Sequence, residues 1–222
     1  MRKLTIAIDG PSGAGKSSLG KALARALGYQ YVDSGAVYRA VGSLAVDGAL
    51  PLDDSAAIAA LAAESDIRLE GDPDDLRVLV NGSDVTARIR QPDASRASSI
   101  VATIPAVRDA VVGKLREMSQ AGGVVMDGRD IGTKVFPRAE VKVFLEASTE
   151  VRALRRWQEE RLRGRDVNVE QTRAEIEERD RRDRERSATP LVKADDAVLL
   201  DTTDQSLDQV VHRVLEIVNS RS

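Results

Sequence analysis

Nine residues, Gly10-Pro-Ser-Gly-Ala-Gly-Lys-Ser-Ser18, follow the apolar run Leu4-Thr5-Ile6-Ala7-Ile8 and spell G-x-x-x-x-G-K-S. A strand, a glycine-rich loop and a helix start, in that order, cradle the phosphates of a nucleoside triphosphate. Gly10, Gly13 and Gly15 let the backbone turn tightly and aim its N–H groups at phosphate oxygens. The helix opening near Lys16 adds the positive end of its dipole. Pro11, Ser12, Ala14 and Ser18 complete the expected contact set. Lys16 is expected on the β- and γ-phosphates, and the Ser17 hydroxyl on Mg²⁺.

Three further clusters carry charge. Asp33-Ser-Gly-Ala-Val-Tyr-Arg39 stands at the end of a second short apolar run. Ligands of open α/β sheets gather at the carboxyl ends of strands, so Arg39, one turn into the next helix, can face a second phosphate. Asp127-Gly-Arg-Asp130 follows a third apolar run. There Asp127 can support Mg²⁺ through water and Arg129 can fork onto phosphate, although Asp and Gly also serve ordinary turns. Glu178 to Arg186 alternates in sign, as solvated helices do. Within it Arg179, Asp183 and Arg186 fall at i, i+4 and i+7, on one face. A carboxylate between two arginines suits the donors and acceptors of a polar nucleoside.

What the chain lacks narrows the chemistry. Its 222 residues contain no cysteine and one histidine, His212. Disulfides, thiolate zinc sites and cysteine nucleophiles are excluded. Asp, Glu, Lys, Arg and a bound cation remain, a set suited to phosphoryl transfer, which needs positioning and charge neutralisation. The 33 basic and 36 acidic residues nearly cancel. That argues against a general nucleic-acid binder. With no leader pattern and no long apolar run, a cytoplasmic protein is expected. His212 and Trp157 read as surface or packing residues.

Short apolar runs alternate with helical patterns, the mark of an α/β fold with a parallel sheet. Strands are expected at Leu4 to Asp9, Tyr29 to Val32, Val124 to Asp127, Val141 to Leu145 and Ala197 to Leu200. Helices are expected from Lys16 to Leu27, from Ser34 toward Ala45, from Ser55 to Glu64 and from Leu207 to Val218. Ile67 to Leu69 and Leu76 to Val80 read as short strands, and Asn81-Gly82 turns the second of them into a hairpin that continues at Val85. That stretch interrupts the alternation as an insert of about forty residues, ending in helices near Gln91 to Ala102 and Ala106 to Ser119. A charged helical region, Thr149 to Arg186, breaks near Gly164. Arg152, Arg155, Arg156, Arg161, Arg163 and Arg165 make its first part an arginine-bearing flap, a device that excludes water around a transferring phosphoryl group.

Taken in order, these motifs resemble the bacterial cytidylate kinases, which phosphorylate CMP and dCMP with ATP. Ser99, Arg108, the run Ile131 to Pro137 and Thr189-Pro-Leu191 add to the likeness. The resemblance spans nearly the whole chain. It implies a five-stranded parallel sheet flanked by helices in a single domain over residues 1–222. Its core would cover about 1–63 and 106–222, its monophosphate-binding insert about 64–105, and its short helical lid about 152–168. By the same resemblance Ser99, Arg108, Asp130 and Arg186 take the place of cytosine-recognising residues. Arg179 and Asp183 take that of ribose contacts. Ser34, Arg39 and Arg129 match the acceptor-phosphate pocket, and Arg155 and Arg156 the lid arginines. ATP occupies the loop with Mg²⁺, and Lys16, Arg129, Arg155 and Arg156 are the expected catalytic residues. No obligate protein partner is implied, and a monomer is favoured. The family's loop commonly ends Lys-Gly-Thr or Lys-Ser-Thr, whereas this chain has Lys16-Ser17-Ser18. Either serine can then be the metal contact.

Two other readings stay open at this level. A different acceptor, if a hydroxyl compound, would need a base, for which Asp33 or Asp127 is available. A nucleotide-dependent switch would need a partner surface that the sequence does not display.

Overall fold

The computed structural model describes residues 3–221. Five parallel strands form the central sheet: β1 (Thr5–Asp9), β2 (Gln30–Asp33), β6 (Val124–Asp127), β7 (Val141–Glu146) and β8 (Val198–Asp201). Their spatial order is β2-β6-β1-β7-β8. Between β2 and β6 a second sheet, antiparallel, is made of β3 (Ile67–Glu70), β4 (Arg77–Val80) and β5 (Ser83–Asp84).

The main sheet is apolar on both faces because helices cover both. The two-residue period of a strand sorts its side chains between them. In β6, Val124 and Met126 enter one apolar cluster while Val125 enters the other. In β1, Ile6 and Ile8 join Val125, and Ala7 joins Met126. The first cluster is closed by α2 (Ser34–Asp47), α3 (Ser55–Glu64), α4 (Pro92–Val101) and α5 (Pro105–Met118). The second is closed by α1 (Lys16–Leu27) and α8 (Leu207–Asn219). Val78 and Val80 of the hairpin and Val101 of α4 lie in the first cluster with Val32 and Met126. The inserted elements therefore share apolar packing with the parallel sheet.

Local signals place the elements that carry the clefts. Gly28 ends α1, its N–H reaching back to the carbonyls of Ala24 and Arg25. Asp33 closes β2 and caps α2, its carboxylate accepting from Ala36 N at 2.9 Å. Tyr29 stays outside β2. Its hydroxyl instead accepts from Leu4 N at 3.1 Å. The charged region divides into α6 (Thr149–Leu162), capped by Ser148, and α7 (Val169–Glu185), capped by Asn168. After β6 the chain winds into a π-helical turn, Ile131–Val135, which no sequence pattern announced. His212 is exposed on α8, 3.4 Å from Glu216. Trp157 packs under Arg161 and donates to the Val167 carbonyl at 3.0 Å. Among the described residues no helix is long and apolar enough to cross a membrane.

Candidate active site

The carboxyl ends of β1, β2 and β6 open into one cleft of about 900 Å³. Every site residue expected from the sequence lines it except Gly10 and Pro11. Gly10 lies beneath the loop, where a Cβ would come within 2.3 Å of the Leu145 carbonyl oxygen. Pro11 contributes its carbonyl, which accepts from Lys16 Nζ at 2.6 Å. The Lys16 ammonium is buried. Burial, and then the Arg129 charge, push its pKa well down in the ligand-free chain. A polyanion in the loop would reverse that shift.

Below the loop, Asp127 gathers three hydroxyls. Tyr31 donates to its Oδ1 at 2.7 Å, Ser17 to its Oδ2 at 3.0 Å, and Ser34 to its main-chain oxygen at 2.7 Å. Burial, and then neighbouring Asp33, push the Asp127 carboxyl up. Arg39 pairs with Asp33 at 2.8 Å.

The far wall is an arginine–aspartate lattice. Arg108 forms a very short ion pair with Asp130 and gives Nε to Thr189 Oγ1 at 2.5 Å. Arg129 gives Nε to Asp183 at 2.8 Å. Arg186 donates to the Thr189 carbonyl at 2.7 Å and stands 3.5 Å from Asp183 and 3.9 Å from Asp130. Burial pushes the Asp183 carboxyl up, but Arg129, Arg179 and Arg186 outweigh it and hold it below the usual range. Cation is nevertheless in excess. Burial, followed by Arg129, brings Arg179 down to about 10, and burial with Arg108 also lowers Arg186. Arg179 Nε and Arg186 Nη2 are buried without a hydrogen-bond acceptor. Buried donors left unpaired are costly, and a ligand rich in acceptors would satisfy them.

The arginines of α6 divide in use. Arg155 docks on Thr202, through the hydroxyl at 3.0 Å and the carbonyl at 2.6 Å. Arg156 is held by Glu160 at 2.9 Å. Ser99 accepts from Arg182 Nη1 at 3.0 Å. Arg182, Thr189 and the Tyr38 ring, 5.4 Å from the Arg108 guanidinium, lie within the sequence motifs, but their contacts with Ser99, Arg108 and Arg186 are not written in the local spacing.

Behind this wall, Asp9 supports the turn that follows β6. Its carboxylate accepts from Ile131 N at 2.8 Å and Gly132 N at 2.7 Å, the unpaired N–H groups that open the π-helical turn. No local spacing announces a cap that comes from 122 residues away. Burial pushes the Asp9 carboxyl up from 3.8 to about 6, against the pull of those two donors. The folded chain therefore holds this proton more tightly than the unfolded chain. The stability tied to Asp9 is greatest below about pH 4 and falls as pH rises toward about 6, by about 3 kcal/mol in all. Asp9→Asn abolishes the titration but turns one acceptor into a donor facing an N–H. Its stability relative to the parent chain should improve steadily between about pH 4 and pH 7, read by chemical unfolding at each pH. A constant difference would mean that Asp9 is ionised throughout.

Comparison with known proteins bears on the whole chain. The family profile described as "Cytidylate kinase" matches residues 6–220. A cytidylate kinase of Geobacillus kaustophilus is 48% identical over 220 residues, covering 99% of this chain and 98% of that protein. One from Bacillus velezensis is 48% identical over 221 residues, covering 100% and 99%. Among solved structures, a gluconokinase from Sinorhizobium meliloti superposes with a TM-score of 0.51 at 17% identity, covering 99% of this chain and 94% of its own. An uncharacterized protein from Eubacterium ventriosum does so with 0.54 at 12%, covering 99% and 100%. At such identities these two speak for the fold alone.

Proposed function

This chain belongs to the cytidylate kinase family, and from that premise we propose how its cleft carries out ATP-dependent phosphorylation of CMP and dCMP. The observation that carries the reading is the pairing of a phosphate loop with a wall of buried arginines in one cleft. ATP lies along Gly10 to Ser18. The acceptor nucleotide lies between α4 and the turn Asp127 to Asp130. Arg108, Asp130, Arg186 and Ser99 face its base. Cytosine offers an amino donor together with the acceptors N3 and O2, and carboxylate, guanidinium and hydroxyl groups match all of them. Arg179 and Asp183 face the ribose, and Ser34, Arg39 and Arg129 the acceptor phosphate.

A phosphate oxygen of the acceptor forms the new bond to the γ-phosphorus, and the bond from that phosphorus to the β–γ bridging oxygen breaks, releasing ADP. The nucleophile is already an anion, so no general base is needed. Lys16, Arg129 and the lid arginines Arg155 and Arg156 offset the charge that spreads over the γ-oxygens. For Arg156 this requires leaving Glu160.

The floor of the loop also fits a hard divalent cation. Ser17 Oγ and the buried Asp127 carboxylate offer oxygen donors 3.0 Å apart. Among the described residues no group of three His, Cys, Asp or Glu side chains converges on a metal. Mg²⁺ suits such a sparse protein shell, because it retains waters and takes substrate phosphates as ligands. Ser17 rather than Ser18 would hold it, with Asp127 supporting it directly or through water. When bound, it would supply charge neutralisation on the β- and γ-phosphates.

The reaction needs one chain and two small nucleotides, and its dependence on free nucleotides suits the cytoplasm. Water has to be excluded, or ATP would be hydrolysed. An acceptor panel with ATP and Mg²⁺ tests the reading. CMP and dCMP are expected to exceed UMP and AMP by at least about 100-fold in kcat/KM, because the wrong base leaves buried hydrogen-bonding groups unpaired. ATP hydrolysis without CMP is expected below about 1% of the transfer rate. Equal rates with UMP and AMP would remove cytosine from the assignment. Fast hydrolysis without acceptor would remove the closed-cleft mechanism.

A further inference from the structure

Two buried charges beside the cleft have no part in the mechanism above. Arg152, on the first turn of α6, and Asp180, near the end of α7, form an ion pair at 2.5 Å, and neither lines the cleft. Both are almost wholly buried. Their common partner is Ser12, in the middle of the phosphate loop. Asp180 Oδ1 accepts from Ser12 N at 3.0 Å, and Arg152 Nη1 donates to the Ser12 carbonyl at 2.7 Å. The guanidinium is held further by the Ala147 carbonyl at 3.1 Å and Thr149 Oγ1 at 3.1 Å. So bound, and set back from the cleft that Arg155 and Arg156 of the same helix line, it does not reach a nucleotide. The next loop residue is clamped as well. A Cβ on Gly13 would lie 2.8 Å from the Arg152 carbonyl oxygen.

Asp180 follows Arg179 directly and precedes Asp183 by one turn. Thus α7 and its C-cap present Arg179, Asp183 and Arg186 to the acceptor side of the cleft, and Asp180, one turn before Asp183, holds the backbone of the donor loop. We propose that Arg152 and Asp180 are positioning residues that tie the shape of the phosphate loop to the placement of α7. Donor and acceptor then bind cooperatively, because each fixes an element that the other uses. The tie gives the lid helices a direct mechanical hold on the triphosphate site. It rests on the assignment of α7 to the acceptor nucleotide, and the test separates the two.

The experiment uses the full chain and titrates CMP calorimetrically with and without an unreactive ATP analogue. In the parent chain the analogue should tighten CMP binding about 5-fold or more, within the usual range of coupling. The double replacement Arg152→Met with Asp180→Leu leaves no charge buried alone, and such exchanges commonly preserve folding. It is expected to keep a melting midpoint near that of the parent, to bring the coupling factor close to 1, and to lower kcat/KM for both nucleotides at least about 10-fold, the loss expected when a supporting contact lets reacting groups drift. Asp180→Asn keeps an acceptor for Ser12 N and should fall between. It also serves as the measurement if the double variant does not fold. Unchanged coupling and kinetics in a folded variant of either kind, even with a lower midpoint, would make the pair purely structural and overturn the proposal. Failure of the parent chain to bind CMP at all would instead overturn the acceptor assignment.

Discussion

Lys16→Met is expected to lower kcat for phosphoryl transfer by about 10³-fold while the chain folds as before, since preorganised charge on the transferring oxygens is worth that much. The ammonium is buried and donates to the Pro11 carbonyl at 2.6 Å. In the ligand-free chain that charge is a burden, because burial and the nearby Arg129 both disfavour it. Methionine preserves the apolar stem and removes the burden, so the melting temperature should stay level or rise. In the transition state the sign reverses. Negative charge spreads over the γ-oxygens, and Lys16 is the cation that the loop itself supplies to them, beside Arg129, Arg155 and Arg156. Steady-state kinetics with both substrates saturating, beside a thermal melt, measure the two effects. A loss under about tenfold would remove Lys16 from the reacting centre.

Arg186→Met carries the second large effect, on the acceptor side. Its kcat/KM for CMP should fall by about 10²- to 10³-fold, the usual cost of losing a charged hydrogen bond in a desolvated site, with KM for ATP nearly constant. Arg186 is buried, bonded to the Thr189 carbonyl, and close to both Asp130 and Asp183. Its Nη2 has no hydrogen-bond acceptor among the described residues, so the ligand would supply one. Burial and Arg108 already disfavour its charge. The replacement should therefore cost little in folding, because Asp130 keeps Arg108 and Asp183 keeps Arg129. Discrimination between CMP and UMP should shrink with the loss in rate. Unchanged CMP kinetics would exclude Arg186 from the site.

Much of this architecture is legible in the amino-acid sequence. The helices Lys16–Leu27 and Ser55–Glu64 and the strand Val124–Asp127 have the bounds that sequence pattern predicts, because caps and periodicity are local signals. Asp33 as a helix cap and Asn81-Gly82 as a hairpin turn follow from the same short-range chemistry. The phosphate loop is recognisable because backbone approach to phosphate dictates glycines at fixed offsets. Other boundaries shift by a residue, as at Tyr29, whose N–H is taken by the Ala24 carbonyl at 2.9 Å in the cap of α1.

The long-range pairings are not legible in the same way. Six arginines between 152 and 165 look alike in sequence. The fold seals Arg152 against Ser12 and Asp180 and docks Arg155 on Thr202, while Arg156 pairs with Glu160 at the local i,i+4 spacing. Nothing in the motif Asp127-Gly-Arg-Asp130 indicates that the turn after it is capped by Asp9. By itself the sequence determined the order of elements, the donor loop and the kinds of charge available, since those depend on neighbours a few residues apart. Tertiary packing decided which charges are buried, which are satisfied within the protein and which face the cleft. Those outcomes depend on groups 28 to 140 residues apart, from Arg152 with Asp180 to Arg152 with Ser12, meeting where water is excluded and an unpaired charge is costly.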